Sequence, residues 1–147
     1  MCQDCDYDRM LEHGGVGLTP NRLAVFETIG NSQRPLTADE IIREVEQRIK
    51  VNRVTVYRIL DLLVENKLVE RLSAGDRSFR YGLAPSSKHA RHPHFFCTQC
   101  GRMECLSPDA IHLNLNTLDG ELNGSVETIQ IRLDGTCKKC LQNMKKK

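Results

Sequence analysis

Cys97-Thr98-Gln99-Cys100 and Cys137-Lys138-Lys139-Cys140 are two Cys-x-x-Cys pairs a few dozen residues apart, and they constrain the fold more than any other feature. In a turn, this spacing sets two thiolates about 3.5–4 Å apart, one edge of a tetrahedron around Zn²⁺ with Zn–S of about 2.3 Å. Two such pairs make a closed Cys₄ site, a kind that holds metal for folding and leaves no open position for a reaction. Two local disulfides or a redox dithiol are the alternatives. A redox pair needs a strand-to-helix setting in a βαβ unit, which neither segment offers.

A chain of 147 residues holds one ordinary domain or two small ones. Its limited core gains from a metal staple, since only 39% of residues are apolar. The formal net charge is +2, so nucleic-acid binding would rest on local clusters of Arg and Lys rather than on a global field. The opening residues are polar and acidic, with no apolar segment of the secretory type, and no window reaches the length needed to span a bilayer. The expected location is the cytoplasm, where thiols stay reduced and paired cysteines favour metal. Cys2, Cys5 and Cys105 lie outside the Cys₄ set.

Thr19-Pro20-Asn21-Arg22 reads as a helix start with Thr19 as N-cap, followed by Leu23, Phe26 and Ile29 and stopped at Gly30-Asn31. Thr37-Ala38-Asp39-Glu40 is a capping box, and Ile41, Ile42, Val45 and Ile49 form the apolar stripe behind it. A third helix runs from Asn52 toward Asn66, burying Val56, Ile59 or Leu60, and Leu63. Arg53, Thr55 and Arg58 face outward from its first turns, and the short connection to the second helix makes a helix-turn-helix. Leu68–Leu72 and Ser78–Tyr81 read as strands around a turn at 73–77. Three helices and a hairpin make a winged helix, whose third helix enters the major groove while the hairpin tip lies along phosphates.

Ala84-Pro85-Ser86-Ser87-Lys88 is a turn-rich hinge, which divides the chain at 1–84 and 85–147. Beyond it are expected a strand over Arg102–Leu106, a helix capped by Ser107-Pro108-Asp109 with Ile111, Leu115, Leu118 and Leu122 on one face, and a strand over Val126–Leu133. Lys145-Lys146-Lys147 reads as a solvated tail. The fold class is α+β: an N-terminal winged helix and a small C-terminal α/β unit stapled at the Cys₄ site.

Thr19-Pro20-Asn21-Arg22, Thr55-Val56-Tyr57-Arg58, His92-x-His94 before Cys97-x-x-Cys100-Gly101, and the closing Cys-x-x-Cys resemble the ferric uptake regulator (Fur) family, over nearly the whole chain after about Leu18. The resemblance implies a homodimeric, metal-responsive repressor that binds a palindromic DNA operator, with structural Zn²⁺ on Cys97, Cys100, Cys137 and Cys140. It also implies base or phosphate contacts from Tyr57 and Arg58. Helix geometry adds Thr55 and Arg53, and Arg22, Arg77 and Arg80 are candidates for phosphate contacts.

His92 and His94 are two apart, so an extended backbone points both imidazoles to one side, as one ion requires; a pair of solvated loop histidines is the plainer reading. In the Fur family the regulatory site also draws a His from before the second helix, a carboxylate or Cys from the last strand of the wing, and a carboxylate after the first Cys pair. Arg34 and Pro35, Gly82, and Cys105 occupy those regions here. Arg91 and Pro93 stand where the family has a further site, which is therefore expected to be missing. There remain His92, His94 and Cys105, completed by His89, Glu104, Asp109 or water. Cys105 is either a ligand or a small apolar residue of its strand. A thiolate among imidazoles tilts the sensed metal from six-coordinate Fe²⁺ to tetrahedral Zn²⁺, a Zur-like preference. An iron or peroxide sensor, or a winged helix with structural zinc alone, is the alternative. Cys2-x-x-Cys5 either adds thiolates to that site, acts as a thiol sensor, or belongs to a frayed terminus, the expected case.

An enzyme is disfavoured. There is no His-Glu-x-x-His, and His92-Pro93-His94 lacks the Glu of zinc deaminases. Neither a membrane nor a small-molecule substrate is expected as partner.

Overall fold

The computed structural model describes residues 5–118 and 120–146. Helix α1 spans Tyr7–His13, α2 Pro20–Asn31, α3 Ala38–Glu46 and α4 Arg53–Glu65. Each of the last three begins as its sequence dictates. Thr19 Oγ1 accepts from Arg22 N at 3.2 Å, and Asn52 Oδ1 accepts from Thr55 N at 2.8 Å. Thr37 and Glu40 close a reciprocal capping box, tightened by Arg34 donating to Glu40 at 2.5 Å. These side chains satisfy backbone N–H groups that a helix start leaves without partners.

Strands β1 (Val69–Ser73) and β2 (Phe79–Leu83) form an antiparallel hairpin in which Glu70 faces Gly82 and Leu72 faces Arg80. Leu36 pairs with Tyr81 by two backbone hydrogen bonds of 2.8 and 3.1 Å, tying the entry of α3 to the hairpin. One core collects Leu11, Phe26, Ile29, Ile41, Ile42, Val45, Val56, Leu60, Leu63 and Tyr81, all from residues before Ala84. This is the winged helix.

The C-terminal sheet has the order β4-β3-β5, from β3 (His94–Cys97), β4 (Met103–Cys105) and β5 (Arg132–Gly135). β3 is antiparallel to β4 and parallel to β5, and α5 (Lys138–Lys145) follows. Leu72 and Ala74 of the wing join Phe96 and Met103 in a second, smaller core, so the wing is seated on this sheet.

Several expectations are corrected. The N-terminal segment is not frayed from residue 5 on: Leu11 is fully buried, and Tyr7 packs edge-on against Phe26 at 5.3 Å; Cys2 lies outside the described residues. Gly30 does not stop α2 but lies within it, where its missing side chain admits the Tyr7 ring. Ile49 follows the end of α3, and Lys145 belongs to α5. The helix expected after Asp109 is a single 3₁₀ turn, Leu115–Thr117. Asn114 Oδ1 accepts from Asn116 N at 3.2 Å, a local bond that competes with helix, and Leu115, Leu118 and Leu122 meet nothing that would reward one. The expected strand 126–133 is displaced: β5 starts at Arg132 and runs past Leu133 to Gly135, where it pairs with His94–Cys97.

Candidate metal centres and reading surface

The β3–β4 turn delivers Cys97 and Cys100, and the start of α5 delivers Cys137 and Cys140. The four Sγ atoms lie within 4.8 Å of one another. Gly101, with φ +77°, lets the chain turn back after Cys100, and its N–H donates to Cys97 O at 2.9 Å. Backbone N–H groups of Cys137 and then Cys100 hold the buried Cys97 thiol down at about 6, with Cys137 N at 3.3 Å from its sulfur. Cys140, hydrogen-bonded to Cys137 and partly desolvated, is pushed up to about 12. Four clustered thiols therefore ionise in full only around a cation. The donor set and spacing fit tetrahedral Zn²⁺.

The second cluster is His92, His94 and Cys105, whose donor atoms also lie within 4.8 Å of one another. Antiparallel pairing places Cys105 directly opposite His94, so both side chains leave the same face. Cys105 is exposed at the end of β4, while desolvation on its inner side raises its thiol pKa. The Nδ1 of His92 lies 3.0 Å from Ala90 O; a carbonyl only accepts, so Nδ1 carries the proton and Nε2 keeps its lone pair. That Nε2 is buried with no hydrogen-bond partner, as a metal ligand would be. Burial, then the charges of His92 and His89, depress His94 to about 4, so it stays neutral and ligand-competent at neutral pH.

A cavity of about 30 Å³ adjoins these groups, lined from the winged helix by Gly30, Arg34, Glu70 and Gly82, and from beyond the hinge by His89, His92, His94 and Cys105. His89 reaches it with its ring 5.3 Å from that of His92, outside the tight donor set. Two other completions fail: Glu104 alternates to the opposite face and pairs with Arg102 at 3.4 Å, and Asp109 is exposed beyond the sheet. The residue missed is Glu70. It pairs with Gly82 across the hairpin and lines the same cavity, outside the tight donor set. Desolvation raises its pKa, against the pull of Arg91 and His92. The signal was legible only through the β1–β2 register.

On the head, Arg22, Thr55 and Arg58 line one surface groove. Tyr57 and Arg53 stand on the exposed turns of α4, with Arg53 paired to Asp39 at 2.6 Å. Val54 is 57% exposed beside them, an apolar residue not singled out from sequence. Arg77 is exposed at the wing tip. Arg80 is corrected: it is 5% exposed and committed to internal partners, so it is not placed to touch a phosphate.

The profile of the ferric uptake regulator family matches residues 13–134, most of the chain and both units of the fold. The chain belongs to the ferric uptake regulator family. It is 30% identical over 132 residues to the peroxide operon regulator of Bacillus subtilis, covering 88% of each protein. The ferric uptake regulator of Vibrio cholerae superposes with a TM-score of 0.73 at 22% identity, over 90% of this chain and 100% of that one. A zinc uptake regulator in complex with zinc and DNA superposes with a TM-score of 0.65 at 23% identity, over 93% and 91%. Members of the family are metal-responsive transcriptional regulators and not enzymes, and the winged helix with a C-terminal α/β unit is their fold. Among the described residues, no helix is long and apolar enough to cross a membrane.

Proposed function

We propose that this chain is a cytoplasmic, homodimeric, zinc-responsive repressor that reads a palindromic operator. The observation that carries the choice of metal is Cys105, set opposite His94 and next to the unpartnered Nε2 of His92. One thiolate and two imidazoles converge, and Glu70 in the wall of the same cavity is the proposed fourth, oxygen donor, a set suited to tetrahedral Zn²⁺; Fe²⁺ prefers more and harder ligands. Cys97, Cys100, Cys137 and Cys140 hold the structural Zn²⁺ that staples β3 to α5.

Residues 1–84 are the reading head and 85–147 the dimerisation unit. The proposed ligands come from both sides of the hinge: Glu70 from the wing, the histidines and Cys105 from beyond it. They converge only when the head is docked. Bound metal supplies differential affinity for that docked state and shifts its population. A ten- to hundredfold gain in operator affinity asks for about 1.4–2.7 kcal/mol of coupling. On DNA, Tyr57, Thr55 and Arg53 with Val54 face the bases, while Arg22, Arg58 and Arg77 anchor phosphates. The exposed Leu115, Leu118, Leu122 and Leu133 are the surface that a second copy covers.

Co²⁺ titration of protein holding zinc only at the Cys₄ site tests the metal assignment. One further equivalent should bind with intense thiolate charge-transfer absorbance. The band should vanish in Cys105→Ser, and binding itself should vanish in His92→Ala/His94→Ala. A second equivalent with no thiolate band would move the reading to an iron or peroxide sensor, and no second equivalent would leave a scaffold without sensing.

A further inference from the structure

Arg80 is a charged residue with almost no exposure in a wing where charge should face water. Its guanidinium donates to the Asp76 carboxylate at 3.1 and 3.3 Å, to Ser78 Oγ, and across the seam to Gly101 O at 2.7 Å, with the Phe96 ring centroid 5.6 Å away. Gly101 is the residue after Cys100, so the carbonyl it grips is part of the Cys₄ turn. Gly101 holds φ +77°, the left-handed conformation that turns the chain back after Cys100 and that a side chain would strain. A planar fork of donors can hold a carboxylate and a carbonyl in one geometry; an ammonium cannot.

The wing thus meets the C-terminal unit along a seam, with Leu72 and Ala74 packed on Phe96 and Met103 and Arg132 donating to Ser73 O at 2.9 Å. Gly82, Leu83 and Glu70, toward the far end of the hairpin, line the His92/His94/Cys105 cavity. Arg80, nearer the tip, grips the Cys₄ turn. Within that seam the Arg80 guanidinium is the group that engages the Cys₄ turn itself, so it couples the placement of that turn to the hairpin. We propose that Arg80 is the positioning residue that fixes the head against the Cys₄ turn, so that closing the second metal site aims α4 and the wing tip rather than merely tethering them. This rests on the repressor reading, and its test separates the two.

Two variants are made in full-length protein: Arg80→Met, which keeps the packing stem and loses every donor, and Arg80→Lys, which keeps the charge. The probe is a duplex selected from a random library by the wild-type protein. Arg80→Met should retain one zinc per chain and its self-association. It should lose about tenfold in affinity for the duplex with metal present, so that the ratio of affinities with and without second-site metal shrinks accordingly. Arg80→Lys should fall between. The slope of log affinity against log salt should be unchanged in Arg80→Met, since no phosphate contact is removed. Amide exchange should quicken at Ala74, Arg77 and Gly101, whose N–H groups bond within the wing turn and the Cys₄ turn, and not in α2–α4. A slope reduced by about one would make Arg80 a phosphate contact and overturn the proposal. Wild-type affinity and metal response in Arg80→Met would overturn it too. Should the wild-type chain select no duplex, the repressor reading fails, and unchanged exchange in Arg80→Met would then reject the clasp separately.

Discussion

His94 is 7% exposed, and its imidazole titrates at about 4 rather than the ordinary 6.5, chiefly because burial penalises the imidazolium. The unfolded chain takes up a proton at this position as pH falls through about 6.5, while the folded chain resists until about 4. Stability of protein carrying zinc only at the Cys₄ site should therefore decline on acidification within that window, by at most about 1.4 kcal/mol per pH unit from this group. Urea midpoints at pH 7, 6 and 5 check this. His94→Gln should flatten the dependence, and parallel curves for the two proteins would contradict it. His92 and His94 were legible because a period of two is a property of any extended strand. Glu70 was not, because its place depends on which residue of β2 lies opposite, a matter of register that composition and spacing do not carry. Arg80 misled for the converse reason. An arginine in a wing suggests phosphate, and only the Gly101 carbonyl and the Asp76 carboxylate on either side of it show that the charge is already committed.

At the scale of elements, α2, α3 and α4 were readable from Thr19, Thr37 and Asn52, since caps are local chemistry. Helix α1 was not. Seven polar-rich residues have no helical stability of their own, and they are held by Leu11 in the core and Tyr7 over Gly30. That contact predicts a reversal of sign. An alanine in a helix interior gains about 1 kcal/mol over glycine from propensity, and less at Gly30, which is next to the last residue of α2. In Gly30→Ala the new methyl displaces the Tyr7 ring, its edge contact with Phe26 and its 3.3 Å hydrogen bond to Asn31, so the net effect should be destabilising by about 1 kcal/mol. In a Tyr7→Ala background the clash is gone, and the same substitution should stabilise. A double-mutant cycle by thermal or urea unfolding measures both legs, and additive effects would mean that Tyr7 and Gly30 are not coupled.

At the scale of the molecule, the winged-helix core closes entirely on its own residues, whereas the C-terminal unit does not. Among its described residues, Leu113, Leu115, Leu118, Leu122 and Val126 are exposed large apolar groups on a segment between β4 and β5 that forms little regular structure, and Leu133 of β5 is exposed beside them in sequence. A sequence pattern that reads as an apolar helix face, followed by an apolar strand, stays unformed in a single copy because neither has anything to pack against. The legible pattern and the observed irregularity agree if the partner is a second chain. Leu118→Asp combined with Leu122→Asp should then shift the protein from dimer to monomer in sedimentation velocity, since a stable interface needs roughly 800 Å² per partner and two buried carboxylates at its centre forfeit it. The head, with its separate core, should keep its melting transition. Affinity for a two-fold duplex should drop to that for a single half-site, because both heads can no longer bind through one linkage. If the variant still sediments as a dimer, the apolar segment is not the interface, and the two-fold pairing of the heads is built elsewhere.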